Sequence, residues 1–433
     1  MDSLTLGMLS LFVLIILTLL EIPIGLCMAM IGLCGGFYLA GIDRTLDFLG
    51  MYVYSNVANF TLSAVPIFLL MGEFVSESGA SRELYNTANK WLGRMPAGLS
   101  AVTIASCAVF SACCGSSAAT AGTLGTIAIP EMRRHGYSPR IVAGSLAAGG
   151  TLGNLIPPGI VPILYGIFAE QSVGKIFIAC ILPGILMTLL FIGTVVVWAT
   201  VYSSVAPPSD RAYTRREKID SLPGVAGILV LFLLVLGGIY VGWFTPTEAA
   251  AIGAFGAFII MLARGKMTKK ALLGCVMNTV RTTGMIYFIL IGAMFFQFFM
   301  AQTQLPALLV EVLNTHNVGP YGVLGLVLII LIVLGFAFDE IAMLILVTPI
   351  VVPVLEANGI DLIWFGVLLT ITIEMAFISP PVGLVLYVIR TVAPEISTAD
   401  LYAGVFPVIA AQCICLIILI LWPQISLFLP ALM

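Results

Sequence analysis

Charged side chains are scarce in this sequence. Asp, Glu, Lys and Arg together make up 9% of its 433 residues, whereas hydrophobic residues make up 61%. Soluble domains carry about 25% charged residues, so the composition excludes an ordinary soluble protein. The net charge is only −3, and the sequence contains no basic patch with interleaved aromatic residues. A nucleic-acid partner is therefore excluded as well.

Residues that carry enzyme chemistry are equally sparse. The only two histidines are His135 and His316, and both lie in stretches predicted to be loops. The sequence contains no Ser/His or metal-ligand arrangement and no Walker-type phosphate-binding loop. The nine cysteines lie almost wholly within apolar runs and show no CxxC spacing, so we expect small buried residues at helix contacts. This pattern disfavours an enzyme, and any transport must draw on an ion gradient rather than on ATP.

Long runs without charge dominate the sequence instead. Most of them reach the roughly 20 residues that a membrane-spanning helix needs, and they cover 3–20, 22–42, 48–72, 95–130, 141–169, 176–209, 221–247, 282–310, 312–338 and 401–433. Residues 1–20 lack a basic n-region and a cleavage site, so we interpret them as a first helix and not as a signal peptide. The sequence predicts an all-α polytopic membrane protein with about 10–12 transmembrane helices.

One structural unit occurs twice, about 223 residues apart. At a single ungapped offset, six residues recur as identical pairs: Ile127/Ile350, Pro130/Pro353, Gly136/Gly359, Leu146/Leu369, Pro157/Pro380 and Pro158/Pro381. Residues 131–140 carry three arginines and one glutamate, whereas their counterpart carries only Glu356 and Asp361. Because short loops rich in Lys and Arg stay in the cytoplasm, the two copies should have opposite orientations. Such an inverted repeat indicates a secondary transporter with its binding site near the bilayer midplane.

Two segments are predicted to be re-entrant hairpins. Residues 95–130 are too long for one crossing, yet both flanks are basic, and the middle of the run, 111–122, consists of small residues. Such a tip is tolerated at membrane depth only when it is buried in protein or lines a cavity. The second apolar run, between Glu311 and Glu356, is interrupted only at 335–340 and has no basic flank. We therefore expect a second hairpin that enters from the outside, with Asp339 at the position equivalent to Ser116.

Each hairpin is followed by a helix that the sequence interrupts. The first break lies around Gly153, Asn154 and Pro157-Pro158, and the second around Glu374, Ser379 and Pro380-Pro381. Two consecutive prolines remove amide donors and crowd the preceding turn, so a helix cannot continue through them. Such breaks free carbonyl oxygens for a cation and leave helix N-termini whose dipole favours a carboxylate.

Several phrases of the sequence resemble one transporter family. They are GSSAATAGTLGTIAIPEM, LGNLIPPG, FTPTEAAAIGAFGA, FDEIAMLILVTPI and ISPPVG, which occur in this order from about residue 20 to the end. This combination is similar to the large membrane subunit of the tripartite ATP-independent periplasmic (TRAP) transporters. The resemblance implies a multi-pass protein of the bacterial inner membrane that imports organic acids with sodium ions.

The resemblance also implies partners and a mechanism. A periplasmic substrate-binding protein would deliver the substrate, and a small membrane subunit of about four helices, separate from this chain, would complete the transporter. The transport domain, which bears the hairpins, would slide against a scaffold domain as an elevator. We assign 1–94 to scaffold helices and an interfacial arm, 95–183 to the first half of the transport domain, 184–281 to the scaffold with a cytoplasmic loop at 205–220 and a second arm, 282–310 to a scaffold helix, 311–407 to the second half of the transport domain and 408–433 to a C-terminal helix.

The resemblance places two sodium sites where tips and breaks meet. One would be formed by Gly115, Ser116, Thr151 and Asn154, and the other by Asp339, Thr348, Glu374 and Ser379. Hydroxyl, amide, carbonyl and carboxylate oxygens are suitable sodium ligands. Ser116, Ser117 and Asp339 are the expected substrate-binding residues, and no catalytic residue is expected.

Alternatives remain for individual residues. The serines have a second interpretation as small residues that let helices approach closely, and Glu340 competes with Asp339 for the site. Glu374 has an alternative role as partner of Arg281 or Arg390. Thr245 and Glu248 match a capping box, which favours a structural role. Segments 76–94 and 264–281 are typical of helices lying along the membrane interface.

The sequence constrains the substrate class only loosely. No pair of basic residues lies in the two tips, which favours a monocarboxylate sugar acid such as sialic acid over a C4-dicarboxylate. The alternative function is a stand-alone sodium symporter for divalent anions with related hairpins and no partners.

Overall fold

The structure is a computed structural model of the chain. It describes residues 3–433 with the exception of 203, 208–212, 306–307, 309–310, 312, 314, 317, 337 and 381–382. Pro381 of the predicted second break therefore lies outside the described residues, as do parts of the predicted loop 205–220 and of the predicted boundary near residue 310.

All regular secondary structure in the described residues is helical. The helices are α1 (Ser3–Leu19), α2 (Ile24–Ala40), α3 (Ile42–Val57), α4 (Ala64–Glu77), α5 (Ala80–Leu92), α6 (Gly98–Cys114), α7 (Ser117–Arg134), α8 (Pro139–Leu155), α9 (Ile160–Phe168), α10 (Val173–Val201), α11 (Arg215–Ile219), α12 (Leu222–Tyr240), α13 (Pro246–Ala263), α14 (Lys269–Gln302), α15 (Pro320–Leu334), α16 (Glu340–Ala357), α17 (Leu362–Ile378), α18 (Leu384–Val392), α19 (Thr398–Leu421) and α20 (Gln424–Leu427). Short 3₁₀ helices cover Phe60–Ser63 and Pro430–Leu432. The predicted all-α fold is confirmed.

Both predicted hairpins and both predicted helix breaks are present. Helices α6 and α7 pack as hairpin 1, and α15 and α16 pack as hairpin 2. Helices α8 and α9 are separated by break 1 at 156–159, and α17 and α18 by break 2, of which Ser379, Pro380 and Gly383 are described. Outside the hairpins, ten further segments of the described chain have the apolar length or composition of membrane helices: 5–18, 24–40, 60–77, 139–168, 173–201, 215–240, 246–263, 269–302, 362–378 and 398–421.

Contacts between the two halves follow the inverted repeat. Helix α7 of hairpin 1 packs on α18 behind break 2, and α16 of hairpin 2 packs on α9 behind break 1. On one face, Arg133 forms an ion pair with Glu395, and Arg140 forms one of 2.8 Å with Asp400. On the opposite face, the Tyr165 hydroxyl donates to the Leu362 carbonyl over 2.7 Å. The arginine-rich base of hairpin 1 thus lies beside the end of α18, and the end of α9 lies beside the start of α17.

This arrangement predicts the outcome of a labelling experiment. Ala357 and His135 are both exposed at the ends of equivalent helices, but they should lie on opposite sides of the membrane. In a Cys34→Ser background, Ala357→Cys is expected to react with a membrane-impermeant maleimide added outside intact cells. His135→Cys should react only after the cells are permeabilised. The reverse pattern would contradict the assigned orientation.

The remaining helices pack against one another as a second group. Helix α2 packs closely on α14, α4 on α13, and α12 on α13. The predicted capping box is confirmed, because the Thr245 hydroxyl accepts from the Glu248 amide over 3.3 Å and the Glu248 carboxylate accepts from the Thr245 amide over 2.9 Å. The segment α5 is anchored beside these helices, since Arg264 pairs with Glu83 at 2.7 Å. Helix α5 also packs on α6 and α7 of hairpin 1, and the arm at 76–94 stays a prediction.

Three predicted domain boundaries fall inside single helices. The boundaries at 183/184, 281/282 and 407/408 cut α10, α14 and α19, respectively. The predicted second arm, 264–281, is largely the first part of α14, whose 34 residues span about 51 Å and exceed the roughly 30 Å of the bilayer core. Two of these boundaries coincide with a proline inside the helix, Pro183 in α10 and Pro407 in α19. The division into scaffold and transport domains stays a prediction.

Candidate functional site

Hairpin tips and helix breaks meet at one place. The Ile160 amide, the first of α9, donates to the Gly115 carbonyl and to the Asn154 Oδ1, each over 3.2 Å. Gly115 has φ +63°, and an added Cβ there would collide with the Pro158 carbonyl oxygen. A residue in this left-handed conformation pressed against a backbone oxygen is necessarily glycine. The tip of hairpin 1 is therefore seated directly on break 1.

A second close contact fixes the angle of α8 against this tip. A Cβ added to Gly153 would lie 2.5 Å from the Ser117 backbone nitrogen and from its Cα. Because both are backbone atoms, neither can move as a side chain would. The absence of a side chain at Gly153 thus allows Asn154 to lie directly beside the first turn of α7.

Four side chains from both halves form a polar cluster at this point. We call Ser117, Asn154, Glu340 and Glu374 the carboxylate cluster. The Asn154 Nδ2 lies 2.7 Å from Glu340 Oε2, 2.8 Å from Glu374 Oε1 and 3.0 Å from Ser117 Oγ. The Ser117 hydroxyl also donates to Glu374 Oε1 over 2.6 Å. Helices α7, α8, α16 and α17 therefore each contribute one member.

The cluster is buried and has no basic partner among the described residues. Ser117 and Asn154 are fully buried, Glu374 is 1% exposed and Glu340 is 9% exposed. Since both carboxylates accept from one nitrogen, their bonded oxygens lie within about 5.5 Å of each other. Among the described residues, neither Arg281 nor Arg390 forms an ion pair with Glu374. Two like charges in a low-dielectric interior repel strongly and are costly unless a cation or a proton neutralises them.

The donor set fits a hard monovalent cation. Glu374 Oε2 is buried and has no hydrogen-bond partner among the described residues, so at least one carboxylate oxygen is available as a ligand. The Ser117 hydroxyl lies 2.6 Å from Glu374 Oε1, and the Asn154 Oδ1 and the Gly115 carbonyl both accept from the Ile160 amide. Oxygen ligands are what such ions require. The N-termini of α7 and α16 also converge here and add partial positive charge. The partial charges of these two helix N-termini would not offset the full negative charges of two ionised carboxylates.

Ser116 and Asp339 have a shared structural role. Ser116 is the N-cap of α7, and its hydroxyl accepts from the Ala119 amide over 3.5 Å. Asp339 is the N-cap of α16, and its Oδ1 accepts from the amides of Ile341 and Ala342 over 3.0 and 2.9 Å. Both residues are half-buried at the tips. The residue that follows each cap, Ser117 or Glu340, is the one that enters the carboxylate cluster.

The other predicted ligands are buried but do not join the cluster by hydrogen bonds. The hydroxyls of Thr151, Thr348 and Ser379 donate to carbonyls of their own helices over 2.9, 2.6 and 2.7 Å. Thr348 lies two turns after Glu340, about 12 Å along α16. The structure joins Asn154 of the first predicted sodium site to Glu374 of the second. Their roles as ligands stay predictions.

The sequence alone did not decide between Asp339 and Glu340 as the site residue, although the internal repeat points to Glu340. At the offset of 223 residues, Ser117 is equivalent to Glu340 and Thr151 is equivalent to Glu374. Helix capping explains why Asp339 itself does not enter the cluster, because an N-cap side chain turns back to its own helix. The residue after the cap is then free to project into the space between the two halves.

Comparisons with known proteins agree with this architecture. The family model described as "Tripartite ATP-independent periplasmic transporter, DctM component" matches residues 11–425. The C4-dicarboxylate TRAP transporter large permease protein of Pseudomonas aeruginosa is 34% identical over 383 residues, which is 88% of this chain and 89% of the relative. The sialic acid TRAP transporter large permease protein of Vibrio cholerae is 30% identical over 413 residues, 95% of each chain.

A solved structure shares the fold. The Alcanivorax borkumensis YdaH transporter aligns with a TM-score of 0.64 and 17% identity, over 88% of both chains. The match of the family model to nearly the whole sequence, together with the two hairpins and two broken helices, establishes the family: this chain belongs to the large membrane (permease) subunits of the TRAP transporters.

Proposed function

We propose that this transporter subunit of the bacterial inner membrane imports a carboxylate substrate by coupling its movement to sodium ions. The observation that carries the proposal is the carboxylate cluster, in which Glu340 and Glu374 are buried within hydrogen-bonding distance of one amide. Because no basic residue of the described chain pairs with them, the cost of burying both charges is best offset by bound cations. Sodium from a gradient would then enter the site together with the substrate.

The substrate would bind beside the cluster, at the two hairpin tips. Ser116, Ser117 and Asp339 are the proposed contacts, with the substrate carboxylate held by hydroxyl and amide donors and by sodium. Gly115, Thr151, Thr348 and Ser379 remain proposed sodium ligands, in addition to the cluster residues Ser117, Asn154, Glu340 and Glu374. Relatives named for sialic acid and for C4-dicarboxylates support these two substrate classes, and a weak preference for the sugar acid stands.

We further propose an elevator mechanism. The hairpins and broken helices, which interlock across the repeat, would move as one transport domain against the helices around α2, α4, α13 and α14. Membership of the family implies that a periplasmic binding protein and a small membrane subunit complete the transporter.

Reconstitution tests this function directly. The chain and its small subunit are placed in liposomes, and uptake of labelled sialic acid and succinate is measured with and without an inward sodium gradient and the binding protein. We expect uptake only when both are present. Uptake by the chain alone would support the stand-alone symporter instead, and gradient-independent uptake would contradict sodium coupling.

A further inference from the structure

A cavity opens on the arginine-rich face of the protein, away from the carboxylate cluster. It has a volume of about 410 Å³ and lies between α5 and α7. Its polar lining comes from Arg82, Tyr85, Asn86, Asn89, Thr126, Glu131 and Arg134, so two guanidinium groups and one carboxylate share it. This volume falls in the range that small organic ligands occupy, roughly 300–1,000 Å³. We call it the α5–α7 cavity.

The two arginines of this cavity differ from their neighbours. Arg133, Arg140 and Arg264, on the same face, are each paired with a carboxylate. Within the described part of the chain, Arg82 and Arg134 form no ion pair. Two guanidinium groups that converge on a cavity with amide donors form a suitable site for an oxyanion, because guanidinium geometry matches a carboxylate.

Four hydroxyl side chains are spaced along α7 from the carboxylate cluster to this cavity, on positions that rotate by about half a turn around the helix. Ser117, Thr120, Thr123 and Thr126 are spaced by three residues and cover about 14 Å of helix. Ser117 and Thr120 are buried, Thr123 is half-buried and Thr126 is exposed in the cavity. Within the described chain the Thr120 hydroxyl has no hydrogen-bond partner, and the Thr123 hydroxyl lies 3.3 Å from that of Ser76 on α4.

We propose that the α5–α7 cavity is an exit site for the transported organic acid, in which Arg82 and Arg134 bind its carboxylate on the cytoplasmic side. The inference rests on the proposed function, since it requires a carboxylate to be released from the cluster to the cytoplasmic side. The amides of Asn86 and Asn89 would bind hydroxyl groups of the acid. Two cationic side chains without an ion pair in the described chain would attract the released acid away from a site that is itself anionic.

A protection experiment tests binding in the cavity without requiring transport. Thr126→Cys is introduced into a Cys34→Ser background, because Cys34 is exposed whereas the other eight cysteines are buried or half-buried. The protein, in nanodiscs of phosphatidylcholine, is labelled with a charged maleimide in the presence of sialic acid or succinate. We expect at least one acid to slow the labelling in a concentration-dependent manner.

The arginines are then removed against a matched control. Arg82→Gln with Arg134→Gln should raise the acid concentration for half-maximal protection by about tenfold, because the two partly exposed guanidinium groups are together worth about 1.4 kcal/mol. Arg94→Gln with Arg215→Gln removes the same charge from exposed positions outside the cavity and should leave protection unchanged. Absence of protection by either acid, or equal effects of both variants, would overturn the proposal.

The experiment also distinguishes two further outcomes, binding of a lipid headgroup and failure of the proposed function. A phosphate group of an anionic lipid has similar chemistry, so the labelling is repeated in nanodiscs with about one-third phosphatidylglycerol and no acid. Protection by this lipid but not by the acids would assign the cavity to a headgroup and overturn the exit site. If an acid protects but the wild-type transporter shows no sodium-driven uptake of it, the proposed function fails while the cavity is still shown to bind a carboxylate.

Discussion

Replacing Glu374 by Gln is expected to lower sodium-driven uptake by about a hundredfold, and Glu340→Gln should do the same. Each substitution keeps the shape of the side chain and leaves an oxygen that can accept from Asn154. It removes one of the two negative charges that the proposed cations neutralise. We therefore expect inserted, folded protein with a sodium dependence that is shifted to higher concentrations or lost.

Uptake is measured in liposomes over a range of external sodium concentrations, with thermal denaturation in detergent as the test of folding. Glu248→Gln is the matched control, because Glu248 acts in a capping box at the start of α13, where Gln is also accepted. It should retain uptake and its sodium dependence. Wild-type uptake with unchanged sodium half-saturation in both cluster variants would remove the carboxylate cluster from the coupling mechanism.

Gly153→Ala is expected to destabilise the protein by about 1–3 kcal/mol and to abolish most of the uptake. The added methyl group would lie 2.5 Å from two backbone atoms of Ser117, so α8 and hairpin 1 would have to separate. Separation moves Asn154 away from Glu374 and Glu340, and the cluster loses the nitrogen that joins its carboxylates. The variant should therefore show a lower denaturation temperature as well as reduced transport.

The same change at Gly125 provides the comparison. A Cβ there has no atom closer than 3.6 Å, which is ordinary van der Waals contact, so Gly125→Ala on α7 should behave like the wild type. Both variants are measured for denaturation temperature and uptake side by side. Equal behaviour of the two would mean that the tip of hairpin 1 tolerates displacement and that the contact with break 1 is not essential.

Much of the architecture was predictable because local features encode it. Consecutive prolines at 157–158 stop a helix whatever surrounds them, small residues at 111–122 suit a buried tip, and arginines at 133–140 fix one face. The continuity of α14 across residue 281 was not predictable in this way. Its basic first part and apolar second part differ in composition but form one helix, since packing and not charge decides where a helix continues.

The candidate site was only partly predictable. Ser117, Asn154 and Glu374 were among the expected residues, and their meeting follows from the crossing of tips and breaks. The distinction between Asp339 and Glu340 depends on which side chain turns back to cap α16, and composition carries no information on that choice. The joining of the two predicted ligand sets through Asn154 is a tertiary contact between residues 220 apart, beyond the reach of local pattern.

The duplicated fold divides its chemistry unequally. The first half supplies hydroxyls at Ser117 and Thr151, and the equivalent positions of the second half supply the carboxylates Glu340 and Glu374. In the proposed cycle, an empty transport domain would therefore carry two negative charges through the bilayer, each worth about 2.3 kcal/mol per 100 mV of membrane potential in addition to its desolvation. Two bound monovalent cations would cancel these charges, so the loaded domain would carry only the charge of its substrate. The empty domain must return in every cycle, and a membrane potential that is negative inside would favour this outward movement of negative charge. The asymmetry thus makes the return of the empty domain the step that carries the charge of the carboxylate cluster.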